Sequence, residues 1–222
     1  MKTVQVRLLV TSILLVLAAC TRSAGGTVDQ TAANLENIPA PQQESGYRYI
    51  GERLLAAVPE GWHNVLDLDG DNTRYSDFVP EGQSGSDWES RLSFEAIVTD
   101  QVSVDPIDML KAVAAEDASR CSFVDDYNIF SGYENGYQTS VRLFLCGMNK
   151  YSNRGEIKLI KIIRGNERVH SIRLMKRIKS FGRGEQDFAD AEMADWSVFL
   201  NRILLCDDTE NHPCPATEQV DD

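Results

Sequence analysis

Along residues 90–98 the side chains alternate, with Leu92, Phe94, Ala96 and Val98 on one side and Arg91, Ser93 and Glu95 on the other. A period of two marks a strand buried on one face. The same reading predicts strands over 47–58 and 62–68, broken by Pro59-Glu60-Gly61, and over 73–79 and 88–99. Further strands are expected over 122–130, 137–146, 156–164 and 168–177, as two hairpins. The period changes at Asp105-Pro106-Ile107-Asp108. Asp105 can cap free amides, Pro106 suits the first helical position and Asp108 favours the positive end of the dipole. Ile107, Leu110, Val113 and Ala114 then share one helical face to about Ser119. A closing helix is expected from about Glu185 to Leu205, with Phe188, Trp196, Phe199, Leu200 and Ile203 as its apolar stripe, a core face rather than a cofactor site. Strands, one helix, four strands and a last helix predict an α+β domain with a mainly antiparallel sheet and helices packed on it.

Before this domain the pattern is different. Lys2 and Arg7 precede an apolar run from Leu8 to Leu17, about ten residues long, which is the length of a signal-peptide core and too short to span a bilayer. Leu17-Ala18-Ala19-Cys20 follows and resembles the lipobox of bacterial lipoproteins. The resemblance implies that residues 1–19 are removed and that Cys20 carries lipid through its sulfur and an acyl chain on its amino group. Anchorage by two or more chains is stable without a transmembrane helix. Thr21, in place of an aspartate, implies the outer membrane, with the periplasmic side favoured. Residues 20–45 hold Gly25-Gly26, Pro39 and Pro41 and few large apolar groups, so they read as a flexible tether. The globular domain is expected over 46–206 and an acidic tail over 207–222.

The formal net charge of −12 becomes more negative once Lys2 and Arg7 are removed. Such a chain is a poor non-specific partner for nucleic acid. Yet eleven basic residues lie between Lys150 and Arg183, against Glu156 and Glu167 alone. They alternate with apolar residues such as Ile157, Leu159 and Ile172. One reading is a basic outer sheet face; the other is a docking patch at Lys176, Arg177 and Lys179 for an acidic ligand or envelope protein.

With Cys20 set aside, four of the five cysteines remain: Cys121, Cys146, Cys206 and Cys214. An even number in an exported chain predicts disulfides. If the hairpin turn is centred between Tyr133 and Glu134, Cys121 and Cys146 fall opposite each other; Cys206 and Cys214 would close a small loop over Asn211-His212-Pro213. A zinc site is the alternative, but no metal-ligand spacing accompanies these cysteines.

Catalytic signatures are not found. Gly82-Gln83-Ser84-Gly85 departs from the nucleophile elbow. His63, His170 and His212 lie in unrelated contexts, and no glycine pattern suits a phosphate. The carboxylates of Asp67-Leu68-Asp69-Gly70-Asp71-Asn72 depart from the EF-hand loop, with Gly70 at its fourth position and Phe78 at its twelfth, and read as an acidic hairpin turn. No cofactor is expected. The order of strands and helices in the domain resembles that of Mog1/PsbP-type domains, and the run Val79-Pro80-Glu81-Gly82-Gln83 followed by Trp88 is similar to one in uncharacterised proteobacterial envelope lipoproteins; neither brings an activity with it. The expectation is a non-catalytic binding or assembly module; the alternative is an envelope hydrolase acting on cell-wall or lipid substrate through carboxylates that sequence does not pair.

Overall fold

The computed structural model describes residues 51–98, 104–185, 190–207 and 209–215. The leader, Cys20, the tether, Tyr47 to Ile50, Phe188 and the end of the acidic tail lie outside the described residues. Among the described residues no helix is long and apolar enough to cross a membrane.

The described residues form nine strands and two helices, in chain order: β1 (Arg53–Leu55), β2 (Trp62–Asp69), β3 (Thr73–Pro80), β4 (Ser90–Val98), α1 (Pro106–Arg120), β5 (Val124–Glu134), β6 (Tyr137–Asn149), β7 (Arg154–Arg164), β8 (Arg168–Ile178), α2 (Asp190–Arg202) and β9 (Leu204–Cys206). Seven form one sheet in the order β2-β3-β4-β8-β7-β6-β5, every neighbouring pair antiparallel. The fold is α+β. α1 carries the chain from β4 to the far edge, and the meander β5 to β8 returns until β8 pairs with β4. Among the described residues β1 and β9 are the first and last strands, and they pair only with each other.

The central strands are apolar on both sides, and both faces of the sheet are covered there. On one face Leu159 and Ile163 of β7 pack with Leu92 and Phe94 of β4 and with Ile172 and Leu174 of β8. Leu54 of β1, Leu200 of α2 and Leu205 of β9 close over them. On the opposite face Ile160 and Ile162 pack with Phe144, Val169 and Leu110 of α1. The described domain is therefore three layers: α2 with the β1–β9 pair, the sheet, and α1. The predicted cap of α1 is present, with Asp105 Oδ1 accepting from the Ile107 N–H at 2.7 Å.

Three expectations need correction. The first strand is shorter, covering only Arg53–Leu55 of its described part. The closing helix stops at Arg202, and Leu204–Cys206 is a strand. The reason is tertiary: Lys161 Nζ donates to the carbonyls of Leu200 and Ile203, both at 3.0 Å, which ends the helix, and β1 then takes up the chain as a strand. Ile203 remains core although it lies beyond the helix. The basic segment also does not gather its charges on one outer face. Lys161 is buried on the α2 side with Glu134, Lys158 lies on the α1 side 2.7 Å from Asp117, and Arg173 pairs with Glu95. Acidic partners distant in sequence take up these cations.

Candidate functional site

The disulfides join Cys121 to Cys146 and Cys206 to Cys214, with Cα atoms 5.5 Å and 5.0 Å apart. The register is not the expected one. The hairpin turns at Asn135-Gly136, with Glu134 opposite Tyr137, and β5 shifts register between Asn128 and Phe130. Val124 is the residue opposite Cys146, and Cys121 bridges Asn149. Cys121 reaches Cys146 as the residue capping α1, so the bond ties the helix end to β6.

Lys176, Arg177 and Lys179 are placed along the end of β8 and just beyond it, and they do not point alike. Lys176 Nζ lies 2.6 and 2.7 Å from the two carboxylate oxygens of Glu192 on α2. Arg177 turns to the other side, 3.8 Å over the ring of Trp88 and 3.6 Å from Glu156. Burial, together with the positive charges of Arg91 and Arg154, lowers its pKa although Glu156 opposes this. Lys179 is exposed. Trp88, itself buried, thus has two guanidinium groups against its ring, Arg91 lying 4.4 Å from the centroid.

The α1 side of β3 and β4 carries a polar network. Ser93 Oγ donates to Asp77 Oδ1, Tyr75 Oη donates to Ser93 Oγ at 3.2 Å, and Arg91 pairs with Asp77 at 3.1 Å. Asp77 and Ser93 are buried. Each group has its partner inside the protein, so the network fixes the sheet surface and leaves no nucleophile with a free base.

A second cluster lies where the β5–β6 and β7–β8 turns meet the β1–β9 pair. Glu52 accepts from the Asn166 N–H, and Gly165 permits the approach, since a Cβ there would lie 2.5 Å from Glu52 Oε2. Burial raises the pKa of Glu52, the backbone bonds oppose this, and the nearby charges of Glu167 and Asp207 add to the rise. Tyr137 is raised too, by burial first and then by the charges of Glu52 and Asp207. Asp207 moves the other way: partial burial raises it, but bonds from the Thr209 hydroxyl and N–H outweigh that and hold it low. His212 stacks on Tyr137 with ring centroids 4.0 Å apart, and its Nδ1 is 2.9 Å from Asn135 O. Asn135 in turn donates to the carbonyls of Leu205 and Pro213. Carboxyls with diverging pKa values are the pattern of acid/base pairs. Here Glu52 and Tyr137 are 3% and 2% exposed, and the cluster joins the two turns to the β1–β9 pair as a clasp.

Sequence reading missed this clasp, because Glu52 and Asn166 lie 114 positions apart. The one local signal was Asn135-Gly136, a pair favoured in two-residue hairpin turns. His170 is buried, and burial with the charge of Arg168 pushes its pKa down to about 4. His63 is exposed in β2. Among the described residues no group of three or more His, Cys, Asp or Glu is placed to hold a metal ion.

No family model matches the chain, and no curated protein matches it. Among solved structures it is similar to LpqN of Mycobacterium tuberculosis, a protein involved in cell envelope biogenesis, at 13% identity and a TM-score of 0.38, covering 71% of this chain and 82% of that one. It is also similar to the Saccharomyces cerevisiae Ran-binding protein Mog1p, at 11% identity and a TM-score of 0.34, covering 67% of this chain and 78% of that one.

Proposed function

We propose that this is a lipid-anchored cell-envelope protein whose domain acts as a non-catalytic binding or assembly module on the periplasmic side of the outer membrane. The observation that carries the reading is the state of its ionisable groups. Glu52 and Tyr137, with their raised pKa values, are buried in the clasp, and the polar network of β3 and β4 is internally paired. Two disulfides suit an oxidising compartment. The Leu17-Ala18-Ala19-Cys20 run supports export and lipid attachment at Cys20.

Replacing Cys20 with Ala and fractionating cells tests the anchor: the expected result is loss from the membrane fraction, and retention there overturns it. Cross-linking in intact envelopes followed by pull-down tests the binding reading. Recovery of a specific envelope protein or acidic ligand is expected; no partner, together with turnover of a cell-wall or lipid substrate, overturns it.

A further inference from the structure

Among the described residues the sheet has two open edges, and they differ in one respect. On β5, Asp125 and Asp126 are neutralised within the chain by Arg183 and Arg142. On β2 and the turn that follows it, Asp69 pairs with Arg74, while among the described residues no cation pairs with Asp67 or Asp71. β2 also exposes Leu66 and Leu68, 39% and 54% accessible, on the face opposite Asp67 and Asp69. Its register shift falls between Asn64 and Leu66, so Leu66 to Asp69 run regularly against Asp77 to Arg74. The Gly70 N–H donates to Thr73 O at 2.9 Å. By antiparallel alternation the main-chain groups of Asp67 and Asp69 then point away from β3, to the open edge.

We propose that this edge receives an extended segment of a partner protein in which apolar residues alternate with Lys or Arg, adding an eighth strand beside β2. Main-chain bonds would come from Asp67 and Asp69, apolar contacts from Leu66 and Leu68, and charge pairing from Asp67 and Asp71. The same aspartates repel a second copy of this edge and so select the basic partner. A partner's segment suits this edge better than the tether, because residues 21–45 contain one basic residue, Arg22. The proposal rests on the binding reading and names its partner class.

The test is fluorescence anisotropy of a short labelled peptide alternating lysine with valine, added to the full chain in mild detergent. Binding is expected, with new hydrogen-exchange protection at Asp67 and Asp69. Joint Asp67→Lys and Asp71→Lys substitution, at exposed positions with an unchanged melting curve, should weaken it about tenfold. The doubly substituted chain should instead bind a glutamate–valine peptide. Equal binding of a peptide with its lysines and valines in separate blocks, protection elsewhere, or no loss in the substituted chain overturns the proposal. If the peptide fails while envelope cross-linking still recovers a partner, the edge assignment falls and the binding reading stands.

Discussion

Two buried ionisable residues make opposite demands on pH. His170 titrates at about 4 when folded, against 6.5 in an exposed reference. A base with a lowered pKa binds its proton better unfolded, so its contribution is complete above 6.5 and is lost as pH falls towards 4. Spread over that window the loss is up to about 3 kcal/mol. His170→Phe should therefore flatten the acid limb of a plot of urea-unfolding stability against pH. Glu52 has the reverse sign: its raised pKa means that stability is complete below 4.5 and falls as pH rises. Glu52→Gln keeps an acceptor for the Asn166 N–H and removes the charge, so it should gain stability at pH 7 and none at pH 4. A loss at pH 7 would show that the carboxylate is needed in its charged form. Neither effect could be read from sequence, because burial of single polar residues is set by strands that meet only in the fold.

At the scale of elements the alternation of β4 and the cap of α1 were legible, since both are local patterns of side chains on a regular backbone. The end of α2 was not. Its apolar stripe continues to Ile203, and the residue that stops it, Lys161, comes from β7. Lys161 is 1% exposed at its side chain, pairs with Glu134 and supplies a cation at the negative end of the helix. Lys161→Met should fill the space but leave the Leu200 and Ile203 carbonyls and Glu134 without their donor, at a cost of about 2–3 kcal/mol. Hydrogen exchange should rise first in the last turn of α2. An unchanged unfolding midpoint would mean that water replaces the ammonium without loss.

For the whole molecule the decisive feature is that the first and last strands hold each other. β1 pairs with β9 through Arg53 to Leu55, Leu54 and Leu205 enter the main core, and the Cys206–Cys214 loop packs against the Asn135-Gly136 turn. A Cβ at Gly136 would lie 2.6 Å from Asn211 O, and its φ of 79° suits glycine, so turn and loop fit only with this residue. Deleting Gly51–Leu55 removes Glu52 from Asn166, Leu54 from the core and the partner strand of β9 at once. Loss of a buried leucine alone costs about 2–5 kcal/mol, a large share of the about 5–15 kcal/mol that holds a domain together. The deletion should lower the melting temperature markedly and raise binding of an apolar dye, while the β2–β8 sheet keeps its strand signal in circular dichroism. Leu54→Ala should do the same in smaller measure. If the deleted chain melts like its parent, the pairing of β1 with β9 does not carry the stability of the α2 layer.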